Sequence, residues 1–140
     1  MEIMRITSIV SYGVPHVATE DIDFHGFVIP KGTSVYSSLY STHHDPEVWG
    51  DPENFRPERF LSKDGTRAER HESLIPFSIG KRSCLGEVMA RDQLFLFVTS
   101  LAQRFHIVPE PGKPKPTMDV NLGQLTLEPH HYAAILKDRL

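Results

Sequence analysis

The chain's single cysteine, Cys84, lies in Phe77-Ser78-Ile79-Gly80-Lys81-Arg82-Ser83-Cys84-Leu85-Gly86-Glu87, where its neighbours have separable chemical uses. Gly80 permits a backbone conformation that a side chain obstructs, and Gly86 lets the chain approach a flat, bulky group closely. Arg82 carries a permanent charge on a planar fork that matches a carboxylate. A long helical pattern begins just after Cys84, so unpaired helix N–H groups lie near its sulfur and favour the thiolate. A thiolate with a carboxylate-binding guanidinium beside it suits an iron porphyrin with propionate arms. Against this stands the plainer reading of a lone cysteine as a small, inert packing residue. On that reading the chain is a structural or interaction module with a buried Cys84.

The flanking elements must hold this stretch in place. Leu85 to about Phe105 is the strongest helical pattern: Val88, Leu94, Leu101 and Phe105 recur among charged residues and proline is absent. Pro109 blocks any continuation. At the other end, Glu2 and Arg5 are three apart and share one helix face, which in isolation is an ordinary surface pair. Ile22 to Ile29 predicts two short strands around a His25-Gly26 turn, closed by Pro30, and Thr33 to Ser38 predicts another. Together they suit a small sheet. From Asp45-Pro46 to Phe60, three prolines (Pro46, Pro52, Pro57) exclude a continuous helix, while Trp49, Phe55 and Phe60 anchor an ordered meander. Lys63 to Glu72 is polar and predicts a solvated loop. Pro111, Pro114 and Pro116 mark an extended connector, and Leu122 to Leu136 predicts a final hairpin. The fold class is α+β.

Composition narrows the function. A length of 140 residues supports one domain with a core, and 39% hydrophobic with 24% charged residues is globular usage. One cysteine excludes an internal disulfide. A formal charge of −3 lacks the basic excess that nucleic-acid binding favours. Leu94 to Val98, the densest apolar run, is too short for a bilayer, and Met1-Glu2-Ile3-Met4-Arg5 is no signal peptide. His43-His44 and His130-His131 are adjacent pairs with no Cys-x-x-Cys or His-x-x-x-His beside them, so zinc has a weak claim.

Phe77, Gly80, Arg82, Cys84 and Gly86, at this spacing, resemble the haem-binding signature of the cytochrome P-450 family. Glu2-Ile3-Met4-Arg5 resembles the family's Glu-x-x-Arg helix, and Pro57-Glu58-Arg59-Phe60 resembles its arginine-bearing meander. The resemblance implies that Glu2, Arg5 and Arg59 form a charge network pinning helix to meander, with a structural and not a catalytic role. Val14-Pro15-His16 resembles a segment of the microsomal, animal-type branch in which a histidine reaches a haem propionate. It implies that His16 joins Arg82 at the propionates, the alternative being a strand histidine facing solvent. Phe77 is implied to shield the sulfur. Val10, Gly13 and Val14 match a segment lining the family's substrate pocket, and Leu125 the apolar tip of another; core packing accounts for these four comparably. Lys81, beside the haem loop, is a candidate docking charge for an acidic electron donor.

The resemblance implies haem b as cofactor, with Cys84 as its axial ligand. It further implies insertion of one atom of O2 into a lipophilic small molecule, using electrons from an NADPH-dependent reductase. For the parent enzyme it implies the endoplasmic reticulum membrane. Residues 1–140 would be the C-terminal portion of the family domain, with the distal oxygen-activating helix and an N-terminal membrane anchor upstream of Met1. The competing expectation is a haem-binding fragment that keeps the ligand but lacks the catalysis.

Overall fold

The computed structural model describes residues 1–122 and 126–139. The chain divides into two compact units, Met1–Ser78 with Gln124–Leu127, and Ile79–Gly123 with Glu128–Leu140.

The first unit opens with helix α1 (Glu2–Thr7), whose buried face is Glu2, Arg5 and Ile6. Ser8 ends it in the left-handed conformation (φ 36°), a costly state for a side chain with a Cβ. Its hydroxyl donates to the Arg5 carbonyl at 2.7 Å and its N–H to the Met4 carbonyl, which capture two of the helix's orphan acceptors. Strand β1 (His16–Val17) pairs antiparallel with β4 (Ser34–Val35), and β2 (Ile22–Phe24) with β3 (Phe27–Ile29). The β2–β3 register, Phe24 opposite Phe27, leaves His25 and Gly26 as a two-residue turn. Both have positive φ (50° and 83°), the mirror-image turn geometry that matches strand twist. The expected strand from Thr33 to Ser38 is shorter than its pattern suggests. Beyond Val35 only an isolated bridge from Ser38 to Tyr12 continues it, so paired ribbons replace a single small sheet.

Between Ser38 and Phe60 the backbone is organised by caps. Ser38 accepts from the Ser41 N–H to start α2 (Leu39–His43), and Asp45 accepts from the Glu47 N–H to start α3 (Pro46–Trp49). Pro46 occupies the first turn, where its missing N–H is harmless. A 3-10 turn, Pro57–Phe60, follows. Trp49, Phe60 and Leu74 form the buried apolar cluster, with Met1 packed against it. Phe55, expected as a third anchor, is 56% exposed and anchors nothing in that cluster. Lys63–Glu72 is largely exposed, as a solvated loop should be.

The second unit contains a 3-10 turn (Gly80–Arg82), then α4 (Glu87–Arg104) and β5 (Phe105–Pro109). The helix therefore stops before Phe105, which begins a strand, and Pro109 ends that strand instead of a helix. The expected terminal hairpin is present over a narrower span than Leu122 to Leu136, and a further pairing closes the unit. The last strand, β8 (Ala134–Asp138), runs antiparallel to β5 from Phe105↔Asp138 to Pro109↔Ala134. Between them in sequence, strands β6 (Val120–Leu122) and β7 (Leu127–Pro129) pair with each other as that hairpin. A five-residue partner with Phe105, Ile107 and Val108 offers a longer ladder than a local turn could, which is why β8 closes on β5.

Candidate functional site

Glu2 is the hub of the first unit's polar core. Its Oε2 accepts the Arg5 Nε–H at 2.8 Å and its Oε1 the Arg5 Nη2–H at 2.8 Å, a two-pronged pair within one helical turn. Oε1 also accepts the backbone N–H of Arg56 at 3.0 Å and the Arg59 Nε–H at 3.2 Å. Burial raises the Glu2 pKa. The hydrogen bonds from Arg5 and the Arg56 amide, the Arg5 charge and the Arg59 hydrogen bond outweigh it, holding the carboxyl below its usual range.

The two guanidiniums reach beyond Glu2. Arg5 is fully buried, donates through Nη1 to the His43 carbonyl and through Nη2 to the Pro52 carbonyl, both at 2.7 Å. It also lies 5.3 Å from the centre of the Trp49 ring system, close enough for a cation–π contact. Arg59 donates to the Trp49 and Asp51 carbonyls at 2.6 Å and to Asp51 Oδ1 at 2.8 Å. The structure thus brings Glu2, Arg5 and Arg59 together and recruits Arg56, Asp51 and His43, none of which the sequence places in this network. Arg56 reaches Glu2 through its backbone N–H and His43 reaches Arg5 through its carbonyl, so no side-chain type could have flagged those two contacts.

The sulfur's setting is different. Cys84 is a free, exposed thiol two residues before Gly86, which caps an 18-residue helix. Its exposure overturns the reading of a buried, inert cysteine. Gly80 has φ +79° with nothing near an added Cβ, so conformation and not crowding demands glycine there. At Gly86 an added Cβ would meet the Cys84 Sγ at 3.9 Å, so glycine leaves the space beside the sulfur open. Arg82 is exposed at the end of the 3-10 turn, Lys81 is exposed beside it, and Phe77 is half-buried. An accessible soft donor, a nearby permanent cation and an uncrowded glycine fit a porphyrin with acidic arms.

The remaining predicted positions are placed less tellingly. His16 is exposed in β1 and belongs to the first unit, whereas Arg82 belongs to the second. Val10 bridges to Thr126 and Val14 is largely exposed, while Gly13 is buried and an added Cβ would run into Ser37 Oγ. Leu125 lies outside the described residues. An open cleft of about 480 Å³ is lined by Lys113–Thr117 and His130–Ala133, none of them a predicted site residue. Among the described residues no group of three His, Cys, Asp or Glu side chains is set to hold a metal ion, and no helix is long and apolar enough to cross a membrane.

Comparison with known proteins gives one consistent answer. The farnesoate epoxidase of Bombyx mori is 44% identical over 139 residues, covering 99% of this chain and 28% of that protein. Cytochrome P450 2U1 of Mus musculus is 42% identical over 139 residues, covering 99% of this chain and 26% of the relative. A zebrafish cytochrome P450 solved with abiraterone superposes with a TM-score of 0.85 at 37% identity, over 99% of this chain and 32% of that one. The chain thus spans about a quarter to a third of these relatives. The Cytochrome P450 family pattern matches residues 1–135, and with the helix–meander charge network and the glycine-flanked Cys84 loop in place, this chain belongs to that family.

Proposed function

We propose that this chain forms the proximal, haem-holding part of a haem-thiolate monooxygenase, with Cys84 as the axial ligand of haem b. The observation that carries the reading is the exposed Cys84 sulfur ahead of the α4 N-terminus, with Gly86 leaving the space beside it open. Gly80, at φ +79°, gives the loop the turn it needs. Arg82 and His16 are assigned to the propionates, Phe77 to shielding the sulfur, and Glu2, Arg5 and Arg59 to fixing the scaffold. Val10, Gly13, Val14 and Leu125 are assigned to the substrate side. Residues 1–140 are read as part of one cytochrome P450 domain.

The parent reaction is RH + O2 + 2 electrons + 2 protons giving ROH + H2O, with electrons from an NADPH-dependent reductase and a lipophilic organic substrate. Haem, when bound, supplies the oxygen chemistry; this chain's residues supply one ligand, two propionate partners and a rigid support. The relative named as an epoxidase of farnesoate supports oxygen insertion as the reaction class. For the full-length parent we place the site at the endoplasmic reticulum membrane.

The 140 residues alone span 28% of that relative, which supports a second reading for the isolated chain: haem binding without turnover. Haem titration followed by reduction under carbon monoxide tests the main reading. A thiolate-type shift of the main absorption band, absent in Cys84→Ala, is the expected result; the same spectrum from both proteins would remove Cys84 from the iron. Product formation with a reductase and O2 separates an active chain from a binding one.

A further inference from the structure

We propose that His43 is a positioning residue for the cysteine loop: its imidazole latches the Leu74–Ile75 segment, which runs directly into Phe77–Gly86, to helix α1. The inference rests on the reading of Cys84 as haem ligand only for its functional consequence; the latch itself is geometry within the first unit.

The ring is fully buried and both nitrogens are engaged. Nε2 lies 3.0 Å from the backbone N–H of Ile75, a group that can only donate, so Nε2 must be the bare, accepting nitrogen. Nδ1 lies 2.8 Å from Ser8 Oγ, whose own proton goes to the Arg5 carbonyl at 2.7 Å. Ser8 Oγ is therefore the acceptor and Nδ1 carries the hydrogen. One directed chain results: Ile75 N–H to His43, His43 N–H to Ser8, Ser8 O–H to Arg5. The His43 carbonyl meanwhile accepts the Arg5 Nη1–H at 2.7 Å, so the same residue ties the Glu2–Arg5 pair at its backbone and the loop entrance at its ring. A packing residue of similar size, such as phenylalanine, would leave the Ile75 amide and the Ser8 hydroxyl without these partners.

The polarity of this chain works in one protonation state only. A second ring hydrogen would point at the Ile75 N–H, donor against donor. Burial first, then the charges of His44, just past the end of α2, and Arg5 on α1, oppose that second proton. Glu2 is committed to Arg5 and Arg59, His71 lies against the Trp49 ring, and the Ile75 segment meets the ring through its amide. Nothing in the sequence pattern distinguishes His43 from His44. The structure does: His43 is buried while the His44 ring stacks on Tyr40.

The test begins with the unaltered 140-residue chain and nitrogen-resolved NMR of His43 at neutral pH. A protonated Nδ1 with a bare Nε2 is expected; a bare Nδ1 or a charged ring would overturn the proposal without any mutation. Amide exchange at Ile75 is then compared in His43→Phe and His43→Gln. Phenylalanine should speed exchange roughly ten- to a hundred-fold, and glutamine, whose carbonyl can take the Ile75 hydrogen, should restore most of the protection. Equal protection in all three proteins would contradict the latch. Haem titration of the same set separates the two claims. If the unaltered chain takes no thiolate-ligated haem, the Cys84 reading fails while the NMR still judges the latch. If it does, and His43→Phe takes haem with equal affinity and the same carbon-monoxide spectrum, His43 does not position the loop.

Discussion

Arg59 Nε–H donates to Glu2 Oε1 across 3.2 Å, joining positions 57 residues apart, and both side chains are almost wholly out of water. Glu2 is the anion between two guanidiniums, and Arg5 has no solvent to fall back on. Glu2→Gln should therefore destabilise the first unit by about 3–5 kcal/mol, since it leaves a buried charge without its counter-ion. Arg59→Lys should cost less, because Arg5 would keep its two-pronged partner. Urea unfolding followed by the fluorescence of Trp49, the single tryptophan, reads both. A Glu2→Gln midpoint equal to that of the unaltered chain would contradict the hub.

Acid should act first through His43. Its pKa falls from 6.5 to about 4 on folding, through burial and then the charges of His44 and Arg5. Between those values the unfolded chain binds a proton that the folded chain refuses. Stability is then full above pH 6.5 and declines as pH falls toward 4, by roughly 3 kcal/mol in total. Glu2, also lowered in the fold, adds its loss only below its ordinary value of 4.5, as pH falls through the folded pKa. Unfolding midpoints from pH 7.5 to 4 should slope in the unaltered chain and flatten in His43→Gln. Parallel slopes would remove His43 as the cause.

The sequence made the polar hub and the cysteine loop visible to different degrees. Glu2 and Arg5 alone look like an ordinary surface pair; only the resemblance of their helix and of Pro57-Glu58-Arg59-Phe60 to a family pattern joins them to Arg59, and the fold brings all three together. Cys84, Gly80 and Arg82 stand out as types, but accessibility of the sulfur is a property of packing that spacing alone leaves open. His43 was invisible for a physical reason. Its partners are a backbone amide and a hydroxyl capping a left-handed helix end, and neither leaves a side-chain pattern. The β8–β5 pairing was missed similarly, since local turn signals outweigh a partner some thirty residues away. Phe55 shows the opposite error: an aromatic among prolines looks like an anchor, yet it faces water.

Leu74 is completely buried against Trp49 and Phe60. Leu74→Ala should cost about 2–5 kcal/mol by leaving a cavity, whereas Leu74→Met should cost less than about 1.5 kcal/mol. The same fluorescence-detected unfolding checks this, and similar losses from both substitutions would argue against a tightly packed cluster.

Gly80 sits at φ +79°, a region that side chains with a Cβ enter at about 1–2 kcal/mol. Gly80→Ala should weaken haem uptake about ten-fold, read by haem titration. Unchanged uptake would show that the loop tolerates another backbone path.

The central claim is a bond between one named sulfur and iron, and X-ray absorption at the iron edge of the haem-loaded chain measures that bond itself. A sulfur neighbour in the unaltered protein, replaced by a lighter oxygen or nitrogen neighbour in Cys84→Ala, is the predicted result. A first shell without sulfur in the unaltered protein, or one that keeps sulfur after the substitution, would contradict it.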